Sequence, residues 1–458
     1  MSDQSDSGAD RWREAGDAVY EALLGRVGEA NPQPRLEPTR RVMELLGDPQ
    51  AAYPIIHIAG TNGKTSTSRI TESILRAYGL RTGLLTSPHL VRLNERIVID
   101  GVPITDEALA ANWEDIQPYL QMVDAELLAT GAEPLTFFEA LTALAFASFA
   151  DAPVDVAVIE VGMGGEWDST NVADGQVAVF TPIALDHMAR LGNTVAEIAR
   201  TKSGIIKPAA RVVSALQTEE GQEELERAAE LTESTLATEG DAFELTDSTV
   251  AVGGQMISVR GLAGTYSNLF LPMYGKHQAQ NAAVAIAAVE SFLGAGTQAL
   301  VGDVLAEGLG AATSPGRLQL VGVEPTVLVD AAHNPHGAAA LAGALSTYFD
   351  FDEIGAVVGV LGDKDASGIL AALDPMVDRY FVTQSHSDRS VPVDDLADRV
   401  SDWFGEEKTQ RSGDVEQALE DAREWARESP RRAVLVTGSI ALVGEAIAIA
   451  EAGEWMTR

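Results

Sequence analysis

The feature that most constrains this chain is a glycine-rich turn between a predicted strand and a predicted helix. YPIIHIAG, residues 53–60, has the apolar, β-branched character of a buried strand, and SRITESILRAYG, residues 68–79, has helical spacing that ends at a glycine. GTNGKTS, residues 60–66, lies between them. Backbone N–H groups at a helix N-terminus point toward an anion, and glycines let that anion approach closely. The sequence therefore predicts a phosphate-binding loop.

This loop is shorter than the common phosphate-binding loop. Two residues separate Gly60 from Gly63, whereas four stand between the glycines of G-x-x-x-x-G-K-[ST]. Lys64 is expected to contact the β- and γ-phosphates as a point charge, and Thr65 or Ser66 to offer a hydroxyl to Mg²⁺. An ordinary turn with a solvated lysine is the alternative. Nucleotide binding is assigned to Gly60, Thr61, Asn62, Gly63, Lys64, Thr65 and Ser66.

Strands and helices alternate along most of the 458-residue chain, which is typical of a parallel sheet with helices on both faces. Short alternating runs within residues 241–275 predict a small antiparallel sheet. We predict an α/β fold with a larger, mostly parallel domain over residues 1–313 and a smaller Rossmann-like domain over residues 314–458. The polar residues 1–10 are expected to be disordered.

Charge and composition exclude several classes of function. The chain has 32 basic and 68 acidic residues, and its formal net charge of −36 repels nucleic acids and anionic membranes. It has no cysteine, which excludes disulfides, thiolate metal sites and thiol nucleophiles. The apolar stretch at residues 137–150 is too short to cross a membrane and is expected to be a buried helix. We expect a cytoplasmic protein without nucleic-acid or membrane partners.

Three further polar residues follow predicted strands or helices. Glu160 ends a β-branched run, so it lies at the carboxyl edge of the sheet, where a carboxylate can hold a metal. His187 follows another strand, although a lone histidine is more often structural. From its local sequence alone, Lys202 is interpreted as a lysine on the protein surface. Its ammonium repels Mg²⁺, so it can serve a metal only after CO₂ has added to the amine.

Seven motifs occur in the order GTNGKTS, TSPHL, EVGMGGEWDSTN, LDH with the later Lys202, GKHQAQN, SPGRLQ and DAAHNP. This order resembles the Mur ligase superfamily, whose nucleotide loop has the short form, and in particular its folylpolyglutamate synthase and dihydrofolate synthase branch. The resemblance implies a P-loop central domain of the Mur ligase type and a C-terminal glutamate-ligase domain. It also implies an ATP-dependent ligase of folate biosynthesis and one-carbon metabolism, which joins L-glutamate to dihydropteroate, a reduced folate or both through an acyl phosphate.

The resemblance also implies roles for individual residues. The family's further ATP contacts correspond to Asn281, Arg317 and Asp330. Its ligands for two Mg²⁺ ions correspond to Thr65, Ser87, Glu160, His187 and a carbamylated Lys202. Its catalytic positions correspond to Lys64, His187, Lys202 and His333. Its pterin-binding positions correspond to Arg35, Leu36, Glu37, Pro38, Thr136, Phe137, Phe138, Glu139, Trp167, Asp168 and Ser169. The implied partners are ATP, the pterin and L-glutamate, and the implied state is a monomer.

Several motifs depart from the family's pattern and leave alternatives open. Many relatives have GGRLDATN where this chain has GGEWDSTN, so Glu166 and Trp167 replace an arginine and a leucine. Thr65 resembles the peptidoglycan branch, which allows a Mur ligase that adds an amino acid to a UDP-muramoyl substrate. Only about 50 residues precede the loop, however, and a uridine-binding domain needs roughly 100. A non-catalytic nucleotide-binding regulator is the other alternative, and it would need neither His187 nor Lys202.

Overall fold

The alternation of strands and helices produces a separate sheet in each half of the chain. The computed structural model describes residues 3–29 and 33–456. Its strands are β1 (Ile55–Ala59), β2 (Thr82–Leu85), β3 (Ile97–Ile99), β4 (Val102–Pro103), β5 (Val156–Glu160), β6 (Val177–Phe180), β7 (Arg211–Ser214), β8 (Thr235–Thr238), β9 (Glu244–Ala251), β10 (Gly254–Arg260), β11 (Thr265–Leu271), β12 (Gln319–Val323), β13 (Thr326–Asp330), β14 (Glu353–Val358), β15 (Arg379–Val382), β16 (Thr409–Arg411) and β17 (Arg432–Thr437).

Most of the helices lie between these strands, as the alternating strand and helix patterns of the sequence predict. They are α1 (Asp3–Leu24), α2 (Glu37–Leu45), α3 (Lys64–Ala77), α4 (Asp106–Ala129), α5 (Phe137–Asp151), α6 (Met188–Leu191), α7 (Val195–Ser203), α8 (Glu219–Leu231), α9 (Lys276–Gly294), α10 (Gly302–Gly310), α11 (Pro335–Tyr348), α12 (Ala366–Leu373), α13 (Val393–Phe404), α14 (Val415–Arg427) and α15 (Ile440–Ala452). Helix α1 covers most of the segment that was expected to be disordered, and residues 1 and 2 lie outside the described part.

The first sheet has the strand order β4-β3-β2-β5-β1-β6-β7-β8. The six strands from β2 to β8 in this order are parallel, whereas β3 and β4 pair antiparallel at one edge. Because β1 is central, the glycine loop that follows it lies in the middle of the carboxyl edge. The predicted small antiparallel sheet has three strands, in the order β11-β10-β9.

Side chains of β1 alternate between two cores, as the period of a strand requires. Ile56 and Ile58 pack into the core that contains α3 and α9, while Ile55 faces the core of α4 and α5. Helices therefore cover both faces of the sheet, and the predicted α/β class is confirmed. The apolar stretch at residues 137–150 forms the buried helix α5, as predicted. In the described part of the chain, no helix is long and apolar enough to cross a membrane.

The second sheet has the order β12-β13-β17-β14-β15-β16, with β12 antiparallel and the others parallel. Helices α11, α12 and α13 pack on one face, and α14 and α15 pack on the other. The last strand of the antiparallel sheet ends at Leu271, and the first strand of the second sheet begins at Gln319. We propose the domain boundary between Thr313 and Ser314, in the part of the chain that connects the three-stranded antiparallel sheet to the second sheet.

Candidate active site

A cavity of about 920 Å³ runs along the carboxyl edge of the first sheet and is also lined by the C-terminal half of the chain. The turn after β1 lies on it, and so do segments that follow β2, β5 and β6. This is the edge at which open α/β sheets bind ligands. Of the residues singled out from sequence, most line this cavity.

The glycine loop has the backbone geometry that its sequence predicted. Gly60 and Gly63 have φ values of 148° and 90°, where a side chain is strained. A Cβ atom on Gly60 would overlap the Thr181 hydroxyl, and one on Gly63 would lie 2.6 Å from the Asn281 Oδ1 atom. Helix α3 begins at Lys64, and the residues of its first turn, whose N–H groups have no partner within the helix, line the cavity. The loop therefore offers a close approach to an anion.

Of the two hydroxyl residues that follow Lys64, Thr65 rather than Ser66 contacts the Glu160 carboxylate. The Thr65 hydroxyl donates to both carboxylate oxygens of Glu160, at 2.9 and 3.0 Å, and the Ser87 N–H donates to Glu160 at 3.2 Å. The Ser66 hydroxyl lies 2.9 Å from the Ser314 hydroxyl in the segment between the two halves. Three residues assigned to a metal, Thr65, Ser87 and Glu160, are thus brought together.

Lys202 is buried, so its interpretation as a surface lysine is wrong. Its side chain lies in α7, is 4% exposed, and donates from Nζ to the Gly60 carbonyl oxygen at 2.7 Å. Burial, together with the nearby charge of Lys64, lowers the pKa of Lys202 to about 7. Among the described residues no carboxylate forms an ion pair with it. Its burial follows from the packing of α7 against the glycine loop, which local sequence does not reveal.

The two predicted catalytic histidines both lie close to an aspartate that sequence reasoning missed. The Nε2 atoms of His187 and His333 are each 3.9 Å from Asp186 Oδ2, and Lys364 Nζ is 2.8 Å from Asp186 Oδ1. Burial lowers the pKa of each histidine to about 4. No contact between His187 and Glu160 is found in the described residues. Asp186 and Lys364 each follow a strand in a turn, LDH and GDKD, and this position was the signal that could have revealed them.

Asn281, Arg317 and Asp330 line the same cavity from α9, the connecting segment and the end of β13. Asp330 accepts from the Leu318 and Ala332 N–H groups at 2.7 and 2.8 Å, so its carboxylate fixes the connecting segment to the turn after β13. Burial raises the pKa of Asp330, and Arg317 opposes this rise. The Asn281 amide donates to Gln278 at 3.1 Å.

The predicted pterin-binding residues divide into those that line the cavity and those that do not. Arg35 and Glu139 form a bidentate pair with two 2.9 Å hydrogen bonds, and Arg35 also donates to two backbone carbonyls at 2.8 Å. Glu139 also accepts from the Thr136 N–H at 2.7 Å. The cavity lining includes Arg35, Thr136, Phe138, Glu139, Trp167, Asp168 and Ser169. It does not include Leu36, Glu37, Pro38 or Phe137, whose segments begin α2 and α5.

Asp168 holds the altered GGEWDSTN segment in place. Its carboxylate accepts from the Met163 N–H at 2.8 Å and the Thr170 N–H at 3.0 Å, and burial raises its pKa. Trp167 lines the cavity, whereas Glu166 does not. Of the two departures from the family's pattern, the tryptophan is therefore the one that faces the cavity.

The residues present fit a nucleotide with a divalent cation. Glu160 is 1% exposed and receives hydrogen bonds from a hydroxyl and an N–H, and no cationic side chain of the described residues forms an ion pair with it. Burial raises the pKa of Glu160, which shows the cost of a buried carboxylate that a cation would relieve. Among the described residues, no group of three or more His, Asp or Glu is placed so that it could hold a metal ion by itself. Mg²⁺ is commonly bound by one or two carboxylates together with phosphate oxygens, and Glu160 can supply one such carboxylate.

Comparison with known proteins identifies the family. Residues 58–289 match the Mur ligase middle domain, and residues 316–440 match the Mur ligase, glutamate ligase domain. The dihydrofolate synthase/folylpolyglutamate synthase of Mycobacterium tuberculosis is 43% identical over 449 residues, which cover 93% of this chain and 92% of that protein. This chain belongs to the dihydrofolate synthase/folylpolyglutamate synthase family. The resemblance inferred from the ordered motifs is confirmed.

Solved structures of this family share the whole fold. The structure of Mycobacterium tuberculosis folylpolyglutamate synthase complexed with ADP has a TM-score of 0.92 and 41% identity, and the match covers 96% of this chain and 99% of that one. A bifunctional folylpolyglutamate synthase/dihydrofolate synthase with Mn, AMPPNP and L-glutamate bound has a TM-score of 0.80 and 30% identity, with 95% and 98% covered. The arrangement of both halves around the cavity is thus that of the family.

Proposed function

We propose that this chain is an ATP-dependent ligase that forms an amide bond between L-glutamate and dihydropteroate, a reduced folate or both. The observation that carries the proposal is the cavity at the edge of the first sheet. It brings the glycine loop and Glu160 together with His333 and Arg317, which come from the C-terminal side. The names of the relatives support the same reaction, because they include both dihydrofolate synthase and folylpolyglutamate synthase. Neither the UDP-muramoyl ligase nor the regulator is favoured by a specific observation.

The reaction needs ATP because a carboxylate has no leaving group for an amine to displace. A carboxylate oxygen of the pterin substrate attacks the γ-phosphorus, the bond to ADP breaks, and an acyl phosphate forms. The glutamate nitrogen then attacks the acyl carbon, loses a proton, and phosphate departs. Lys64 and the N–H groups of the glycine loop neutralise charge on the phosphoryl oxygens, as in other phosphoryl transfers. Closure of the C-terminal half over the cavity excludes water that would hydrolyse the acyl phosphate.

We propose that Thr65, Ser87 and Glu160 hold one Mg²⁺ and that His187 and a carbamylated Lys202 hold a second. Bound Mg²⁺ would supply charge neutralisation for the transferring phosphoryl group. The Mn and AMPPNP in a relative's structure support the use of a divalent cation with the nucleotide. We further propose Asn281, Arg317 and Asp330 as nucleotide contacts. The pterin would bind against Arg35, Thr136, Phe138, Glu139, Trp167, Asp168 and Ser169.

We also propose that the enzyme acts as a monomer in the cytoplasm. The cavity is lined by residues from both halves of one chain, so a second copy is not needed to complete it. Its small-molecule partners would be ATP, the pterin and L-glutamate. The net charge of −36 argues against nucleic acid as a partner.

Carbamylation of Lys202 leads to a measurable prediction. CO₂ adds to a neutral amine, and the lowered pKa of about 7 leaves half of the amine neutral near that pH, so the carbamate fraction should rise as pH increases through 7. Protein equilibrated with ¹³C-bicarbonate at pH 8 is expected to show a carbamate carbon signal by NMR. The Lys202→Ala variant should lack this signal, and Lys408→Ala should keep it. A spectrum without a Lys202-dependent signal would contradict the proposal.

The proposed function is tested by phosphate release with Mg-ATP and L-glutamate. Parallel reactions would contain dihydropteroate, tetrahydrofolate or a UDP-muramoyl acceptor, and mass spectrometry would check that one glutamate residue has been added. Release with dihydropteroate, with tetrahydrofolate or with both is the expected result, and it defines whether the enzyme has one activity or two. Release with the muramoyl acceptor alone, or with none of them, would overturn the proposal.

A further inference from the structure

The cavity extends past the glycine loop toward the edge of the first sheet. Ala215 and Leu216, which follow β7, line this end, and so does Glu239, which follows β8. Helix α9 contributes Val284, and α11 of the C-terminal half contributes Leu341. The end therefore combines apolar surface with the buried carboxyl group of Glu239 and the side-chain amide of Gln280.

The strand order determines which part of a nucleotide reaches this end. The glycine loop follows β1, and β6, β7 and β8 come next on one side of it. Neighbouring strands are about 4.8 Å apart, so the end of β8 lies about 14 Å from the loop. On the other side, the end of β5 carries Glu160 and the segment after β2 carries Ser87, and this side leads to the proposed pterin site. A nucleotide whose γ-phosphate faces Glu160 must extend the opposite way, with its base near Leu216 and Glu239.

The Glu239 side chain is fixed as a hydrogen-bond acceptor. It is 9% exposed, and its Oε2 atom accepts from the Leu216 N–H at 3.0 Å. Its own N–H donates to the Ser214 carbonyl at 2.9 Å, which ties the turn after β8 to β7. The Gln280 side chain also hydrogen-bonds to this carboxylate, and the charge of Lys276 lies nearby. A carboxylate has about four lone-pair positions, so these two donors still leave capacity for a ligand. A buried acceptor of this kind favours a ligand that brings a donor.

We propose that Glu239 selects adenine nucleotides by accepting a hydrogen bond from the amino group at position 6 of the base. Guanine and hypoxanthine carry a carbonyl oxygen there, and two acceptors facing each other repel. Ala215, Leu216 and Val284 supply apolar contact to the base. The inference rests on the proposed function for the presence of a nucleotide, and it adds the residue that determines which nucleotide is used.

The test compares the binding of Mg-ADP and Mg-IDP by titration calorimetry, without pterin or glutamate. The wild-type protein is expected to bind Mg-ADP at least about tenfold more tightly, because a site built for one hydrogen bond rejects the analogue that lacks it. In Glu239→Gln the amide can rotate to accept from adenine or donate to hypoxanthine, so the ratio should fall below about threefold. Glu230→Gln removes the same charge from the exposed end of α8 and should keep the wild-type ratio.

Each outcome decides the question. A wild-type protein that binds both diphosphates equally would overturn the inference, and so would a Glu239→Gln variant with the wild-type ratio. Should that variant fail to fold, the wild-type protein still gives an answer, because Mg-purine riboside diphosphate, which has no group at position 6, should bind about tenfold more weakly than Mg-ADP. Since ligation is not measured, a protein that discriminates between the bases without any ligase activity would contradict the proposed function alone.

Discussion

The Lys64→Met variant is expected to lose about 10³-fold in kcat, with a much smaller change in KM for ATP. Lys64 begins α3 directly after the glycine loop, and among the described residues its Nζ atom forms one hydrogen bond, of 3.4 Å, to the Thr61 carbonyl. Because this hydrogen bond is long, the ammonium group remains available to bind phosphate oxygens. Its charge is most useful when negative charge develops on the transferring phosphoryl group, so the loss should fall on kcat.

The measurement is steady-state phosphate release with the acceptor that the function assay identifies. Lys408→Met removes a lysine that does not line the cavity, and it should keep wild-type kinetics. Unfolding temperatures of both variants should match the wild type, because Lys64 forms no ion pair in the described part of the chain. A Lys64→Met enzyme within about tenfold of wild-type kcat would show that the loop lysine does not stabilise the transition state.

The second large effect is expected from Gly444→Ala. This variant tests whether catalysis requires the close contact between α15 and the segment that contains Leu90. Leu90, in the segment that follows Ser87, packs against the core of α14 and α15. A Cβ atom on Gly444 would overlap the Leu90 carbonyl oxygen and lie 2.8 Å from its carbonyl carbon. Gly316 also approaches Leu90, with a Cβ position 3.0 Å from its side chain. The extra methyl group should therefore push α15 and the Ser87 segment apart.

The expected result is a loss of about 10²-fold in kcat, because a displacement of about 1 Å is enough to misalign reacting groups. Alanine favours a helix over glycine by about 1 kcal/mol, so the C-terminal half itself should not be destabilised. Gly343→Ala is the matched control, since Gly343 also lies within a helix and a Cβ atom there meets nothing within 4 Å. Gly444→Ala with wild-type kcat would show that this contact is not needed for catalysis. Small-angle scattering with Mg-ADP should show a more open shape for Gly444→Ala than for Gly343→Ala.

The sequence by itself determined the features that depend on near neighbours along the chain. Alternating strand and helix patterns predicted the α/β class, and the apolar runs before Gly60 and up to Glu160 placed β1 and β5 correctly. The glycine loop was predictable because a strand, two glycines, a lysine and a helix start occur in immediate succession. The order of the motifs was enough to indicate the family, because order along the chain needs no knowledge of contacts.

Only the tertiary structure decided how distant residues meet at the cavity. Lys202 contacts Gly60 across 142 positions of sequence, and this contact buries a lysine that local pattern indicated to be exposed. The ion pair of Asp186 with Lys364 spans 178 positions. Burial and pairing of this kind depend on where strands and helices pack, whereas periodicity reports only the side of an element on which a residue lies. For the same reason, the position of Glu239 at the far end of the cavity follows from the order of strands in the sheet.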